Sequence, residues 1–320
     1  MKEILITKEN SNQRIDKYIR KFLNDAPLSL IYKTFRKKDI KINGKPVKEN
    51  YILKDGDLLR IYISDSQIEE FNKPKDIKTI KSSINVIYED ENILIVLKPK
   101  GILTHGDERE KRLTLSNQVL SYLYNKGEFK NDGYGFIPSP CHRLDRNTSG
   151  LVIFAKNVIS SQIIMEKLKT HEEIQKEYIL LVKGKTEQSG IIDVPLKKDE
   201  VKGTVKVASL KDGGKSAKTI YKRLKFTEEY SLVEANLVSG RTHQLRVHFS
   251  YIKHPILGDS KYGDFELNRK FKNQFNYENQ FLHAYKLIFN IKTGHLAYLN
   301  GREFIGPLPK KESDIIKKIF

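Results

Sequence analysis

The hydrophobic period of this 320-residue chain changes partway along, and that change limits the fold more than any other feature. Before about residue 64 the apolar residues recur at helical spacing. Ile15, Tyr18, Ile19, Phe22 and Leu23 fall at i, i+3, i+4, i+7 and i+8, one stripe of an amphipathic helix that Ser11 or Asn12 would open. A second short helix is expected from about Ser29 to Lys37, leaving Lys33, Arg36, Lys37 and Lys38 near one end to face a partner or water. A strand-like KIN, an Asn43-Gly44 turn and the alternating run LLRIYI then close a small helix, helix, hairpin unit ending near Ser64. From Ile84 the pattern becomes short β-branched runs broken by turn residues: INVIYED, ILIVLKPKG, GLVIFAK, EYILLVKG, KTIYKRLKF and SLVEANLVSG. Helical patterns intervene at Thr114 to Tyr124, Ile159 to Thr170 and Thr242 to Lys253. The chain therefore reads as α+β, with a small unit over 1–64, a linker over 65–83 that holds no sustained period, and a strand-rich mixed domain over 84–320.

Charge selects the partner. Against 40 acidic residues stand 58 Lys and Arg, a net +18 that concentrates polyanions at the surface, so nucleic acid is the expected partner. Acidic lipid is the competing reading, but it wants a basic amphipathic helix with an exposed apolar face, and the basic residues are spread along the chain. The longest apolar runs fall far short of the ~20 residues that cross a bilayer, so no membrane association is expected. The N-terminus places acidic and amide residues where a secretory signal would need an apolar stretch, which leads to a cytoplasmic protein, expected to be a monomer. With Cys141 alone and eight dispersed His there is no metal-ligand spacing, so no metal and no other cofactor is expected.

The most informative stretch runs from Cys141 to Gly150, CHRLDRNTSG, where Asp145 lies between Arg143 and Arg146 just before an apolar run. Isolated, such a triplet is usually a surface loop with local ion pairs. Here cations on both sides favour the charged form of a carboxylate, and Thr148, Ser149 and Gly150 provide turn-forming hydrogen bonds and a tight backbone. An ionised carboxylate in a basic cleft suits a nucleophile or base. Other motifs fail: Gly214-Lys215-Ser216 lacks the earlier glycine of a phosphate loop and reads as a hairpin loop, while His142-Arg143-Leu144-Asp145 has no Gly-rich nucleotide loop or Asp-Phe-Gly to accompany it as a kinase.

HRLDRNTSGLVIFAKN resembles the active-site motif of the RluA-type pseudouridine synthases. YEDENILIVLKPKGILTHG upstream and QKEYILLVKG and SGRTHQLRVHFSYIKHPILGD with KYGD downstream match in the same order, covering residues 84–320. The N-terminal unit is similar to the S4 RNA-binding module. LSLIYKTFRK, YGDFELNRKF and FLHAYKL are most similar to the RluC subfamily, which acts on large-subunit ribosomal RNA. The resemblance implies a mixed, largely antiparallel sheet and a cofactor-free isomerisation of uridine to pseudouridine in that RNA or its precursor. It makes Asp145 the essential carboxylate and Tyr178 the residue that stacks on the base and relays a proton. Arg246 becomes the partner that fixes Asp145 at about 3 Å. Arg143 and Arg241 are assigned to the RNA backbone, held open while the target nucleotide is extruded. In one place the chain departs from the family: Leu97-Lys98-Pro99-Lys100-Gly101 stands where Asn-Lys-Pro-Ser-Gly is usual, and Lys100 offers a phosphate contact. The rival reading is a non-catalytic RNA-binding or ribosome-assembly protein on the same scaffold, favoured if the carboxylate is unpaired.

Overall fold

The computed structural model describes residues 1–320 apart from 9, 73–79, 81–82, 109, 130–135, 171, 200 and 202. The N-terminal unit consists of β1 (Lys2–Leu5), α1 (Ile15–Phe22), α2 (Leu28–Arg36), β2 (Ile40–Ile42), β3 (Lys45–Pro46) and β4 (Leu58–Ile61). Its strands form an antiparallel sheet in the order β1-β4-β2-β3. The stripe foreseen on α1 is buried against Ile31, Phe35, Ile40, Leu59 and Ile61, a core that holds the helices on the sheet by the hydrophobic effect. Asn43 and Gly44 both have positive φ, 49° and 81°, the conformation a two-residue hairpin turn requires. Neither Ser11 nor Asn12 caps α1. Asn12 is left-handed at φ 59°, the N-cap is Arg14, and the first helical amides reach Tyr51 O and Glu49 O instead.

The expected linker is only partly one. Ser64 caps α3 (Asp65–Phe71) through a reciprocal box with Gln67, and Ile68 packs into the N-terminal core. Within the rest of that stretch, 73–79 and 81–82 lie outside the described residues.

The larger unit is built on one sheet. Its strands are β5 (Asn85–Glu89), β6 (Ile93–Lys98), β7 (Ser139–Pro140), β8 (Ser149–Ala155), β9 (Ile174–Lys183) and β10 (Ser189–Asp193). A separate ribbon, β11 (Leu196–Asp199) with β12 (Thr204–Val207), precedes β13 (Lys218–Phe226), β14 (Tyr230–Leu237), β15 (Leu282–Phe289) and β16 (Glu303–Ile305). The order is β10-β13-β14-β9-β15-β8-β6-β5, with β16 beside β15 and β7 beside β8. Its described pairings are antiparallel except β15 with β8. Around it lie α4 (Leu115–Asn125), α5 (Val158–Thr170), α6 (Gln244–Tyr251), α7 (Phe265–Phe275) and α8 (Lys310–Ile319).

The apolar runs on β6 and β8 are continuous because both faces of the sheet are covered there. Leu94, Val96, Val152 and Phe154 enter one core, while Ile93, Ile95, Leu151 and Ile153 enter the other, as a two-residue period demands.

The parallel contact of β8 with β15 depends on Gly150. Its φ is 126°, and a Cβ there would lie 2.3 Å from Ala284 O and 2.5 Å from Ala284 N. Gly150→Ala is expected to destabilise the fold by at least about 2 kcal/mol, because it adds backbone strain to a backbone clash. An unchanged midpoint in urea denaturation would contradict this.

Candidate active site

Asp145 sits in the turn between β7 and β8, and the backbones of the residues on either side of it are held from the upstream segment. Thr104 Oγ1 bonds to the N–H and the C=O of Leu144, each at 3.1 Å, and the C=O of Arg146 accepts from Gly101 N at 2.9 Å and from Lys98 Nζ at 3.0 Å. Thr148 N donates to Asp145 O, and Gln280 Nε2 donates to Thr148 Oγ1. The Lys98 side chain is fully buried and also donates to Pro99 O and Ile102 O, so all three protons of an ammonium are used. Burial pushes this ammonium down to about 7, with the Asp145 charge pulling the other way.

The carboxylate does not pair with its sequence neighbours. Arg143 is exposed, and Arg146 approaches Asp107 at 3.9 Å. Its cationic partner comes from α6, 101 positions away: Arg246 Nη1 donates to Asp145 Oδ2 at 3.0 Å. The rest of the guanidinium is locked by Asp259, with Nε to Oδ2 at 2.7 Å and Nη2 to Oδ1 at 2.9 Å, a two-point fork that aims the remaining nitrogen at Asp145. Asp259 is itself fully buried and accepts from the N–H groups of Lys261 and Tyr262. Burial alone would raise its carboxyl, but the Arg246 guanidinium and the two amides outweigh it and hold Asp259 below the usual carboxylate range. Arg246 shifts the opposite way: burial works against its charge, and Asp259 with Asp145 more than restores it.

His243, the left-handed residue at the start of α6, has Nδ1 2.8 Å from Tyr262 Oη and Nε2 3.7 Å from Asp145. Burial lowers its pKa against the pull of Asp145, so at neutral pH it is an uncharged neighbour of the carboxylate. Tyr178 is buried on β9, opposite Ala235 of β14 and Ala284 of β15, two small neighbours that leave its ring room. Burial first and the Asp145 charge second push its hydroxyl above the ordinary phenol range, so it keeps its proton and can serve as a donor.

Together these groups line a cavity of about 280 Å³. Asp145, Arg246, Tyr178, Arg143 and Arg241 all reach it, as do His243 and Lys176. Leu144, Leu237, Leu245 and Leu282 supply apolar wall. Arg143 and Arg241 are exposed at its rim, and the Arg241 side chain donates to Ser216 O. Lys33, Arg36, Lys37 and Lys38 are elsewhere, exposed along and just after α2.

The suggested phosphate contact at Lys100 is not made. Its ammonium turns inward to Glu312 of α8 at 2.8 Å, to Gln280 O and to Tyr277 Oη, because a buried carboxylate is a stronger local partner than solvent. Sequence reading also passed over Asp259, His243 and Thr104 as site residues, although each lies inside a stretch that matched the family. Among the described residues no group of three or more His, Cys, Asp and Glu could hold a metal ion, and no helix is long and apolar enough to cross a membrane.

Comparison with known proteins places the chain in a family. Residues 92–251 match the family described as RNA pseudouridylate synthase. The ribosomal large subunit pseudouridine synthase C of Vibrio parahaemolyticus is 33% identical over 97% of this chain and 94% of its own length. The Escherichia coli protein of the same name is 33% identical over 90% of this chain and 88% of its own. Among solved structures, human RNA pseudouridylate synthase domain containing 4 covers 73% of this chain and 92% of its own at a TM-score of 0.59, a likeness of fold at 23% identity. The extent of these matches means that the chain belongs to the RNA pseudouridylate synthase family, within the branch similar to RluC.

Proposed function

We propose that this chain converts uridines of large-subunit ribosomal RNA to pseudouridine, with Asp145 as the essential carboxylate, Tyr178 against the base and Arg246 fixing Asp145. One observation carries the reading: a guanidinium locked by a buried carboxylate holds Asp145 at 3.0 Å on the wall of a cavity large enough for one nucleoside. The isomerisation breaks the N1–C1′ bond, turns the base, and joins C5 to C1′. C5 loses a proton and N1 gains one, so no electrons are exchanged with a cofactor. A fixed carboxylate beside the glycosidic bond can attack the sugar, attack the ring, or take the C2′ proton, and each route uses its negative charge. The Tyr178 ring offers a face to the uracil while its retained hydroxyl proton can be donated.

The choice of RNA is supported by the names of the relatives and by the +18 charge. In this reading Arg143 and Arg241 grip the backbone at the cavity rim, and the N-terminal unit acts as an S4 module through Lys33, Arg36, Lys37 and Lys38.

Two measurements test it. Tritium released from C5-labelled uridine in transcribed large-subunit RNA reports turnover directly, and no release by the pure protein would refute the assignment. Changing the four α2 cations to Gln should flatten the salt dependence of RNA binding, each lost phosphate contact removing roughly 0.7 to 0.9 from the slope. An unchanged slope would deprive the S4 assignment of content.

A further inference from the structure

Lys176 lines the same cavity and is used by nothing described so far. It stands two residues before Tyr178 on β9, so the two side chains leave the same face of the strand. Only 7% of it is exposed, yet among the described residues its ammonium has no hydrogen bond and no ion pair. The neighbouring carboxylates are engaged elsewhere: Glu173 pairs with Lys167, and Glu177, on the other face of β9, accepts from Tyr285. Burial pushes the Lys176 ammonium down to about 8, and no negative group offsets that cost. The contrast with its neighbours is sharp. Arg246 is held by two carboxylates, Lys98 by three carbonyls and Lys100 by Glu312. The side chain is buried while its ammonium nitrogen keeps access to the cavity, so the partner for its charge is to be sought in what fills that cavity.

The chemistry of the ligand says where. An RNA phosphate stays on the strand outside the cavity, within reach of Arg143 and Arg241 at the rim. A uracil seated on Tyr178 brings its ring carbonyls inside. When N1–C1′ breaks, the bonding pair stays with N1 and spreads over O2 and O4, so the ring is an anion until C5 bonds to C1′ and a proton is exchanged from C5 to N1. A fixed donor acts most strongly on charge that develops during the reaction. We propose that the Lys176 ammonium donates a hydrogen bond to a carbonyl oxygen of the target uracil and holds the negative charge on the ring while it is detached from the sugar. This rests on the isomerisation proposed above and adds a second charged residue to Asp145, one acting on the base.

The test uses the full-length protein and single-turnover tritium release from C5-labelled large-subunit RNA. Lys176→Met should lower the rate by about a hundredfold or more, the usual effect of deleting one such donor. RNA affinity should stay within about threefold, since the phosphate contacts are untouched. Thermal stability should be equal or higher, because an unpaired ammonium is removed from the interior. A rate within about threefold of the unaltered protein overturns the proposal. So does a variant that melts earlier or fails to fold, since that makes Lys176 a structural residue. Lys176→Arg keeps a charge that does not titrate, so at limiting RNA its rate relative to the unaltered protein should rise about tenfold from about pH 7 to about pH 9. His142, Asp145, Tyr178, His243 and Arg246 line the same cavity, with Arg143 and Arg241 at its rim and Lys98 behind it, but all are common to both proteins and cancel in the ratio. A flat ratio refutes the role of the charge. If the unaltered protein itself forms no pseudouridine, the isomerisation falls, and this inference with it.

Discussion

Asp145→Asn is expected to lower pseudouridine formation by at least about a thousandfold while RNA affinity changes by less than about threefold. The amide keeps the shape of the side chain and an oxygen for Arg246 Nη1, but removes the negative charge that every route at the glycosidic bond requires. Binding is expected to survive because Arg143, Arg241 and the α2 cations lie outside the substitution. Stability is expected to survive as well. The Asp145 side chain is 27% exposed, so the neutral amide is not a buried group stripped of its partner. Single-turnover rates with a filter-binding titration on the same RNA separate the two effects. Near-normal release of tritium would remove Asp145 from the mechanism.

Arg246→Met should damage stability and chemistry together. It leaves Asp259 fully buried with the amides of Lys261 and Tyr262 but without its fork, and stranding one partner of a buried ion pair costs about 3 to 5 kcal/mol. Urea denaturation measures that loss. In the fraction that remains folded, Asp145 loses its 3.0 Å partner, and turnover should fall by about a hundredfold or more. The pH dependence of stability gives a separate sign. The Asp259 carboxyl is held below its ordinary value, so its contribution is complete above about pH 4 and is lost as pH falls toward the folded value. Without Arg246 that loss on the acid side should shrink. A variant as stable and as acid-sensitive as the parent would mean that the fork does not position Asp145.

The sequence reveals elements whose signal is local and hides pairings that are not. The α1 stripe, the runs on β6, β8, β9, β13 and β14, and the three internal helical patterns are visible because period and burial agree within each segment. The cap of α3 was also legible, as Ser64 followed three residues later by Gln67, but the charged and polar stretch around it hid the helix. The site divides the same way. Asp145 stands out from its own loop. Its partner does not: the two nearest arginines make no ion pair with it, and Arg246 is identified through resemblance to a family rather than through spacing. Asp259 follows an apolar run and a glycine beyond the end of α6, which gives no hint that it grips the guanidinium of Arg246 within that helix. The sequence leaves Lys100 open to a phosphate because its partner, Glu312, is more than two hundred positions away. Lys176 looks like any strand lysine until burial shows that nothing answers its charge. Charge sign can be read from sequence, whereas charge pairing is a property of the folded chain.

The central claim is that this chain makes pseudouridine in large-subunit ribosomal RNA by means of Asp145. The most direct test incubates unmodified large-subunit transcript with the pure protein and, in parallel, with Asp145→Asn, then maps pseudouridine at nucleotide resolution. Pseudouridine is expected at defined uridines with the unaltered protein and none at those positions with Asp145→Asn. No pseudouridine with the unaltered protein, or the same pattern at the same rate with both, would contradict it.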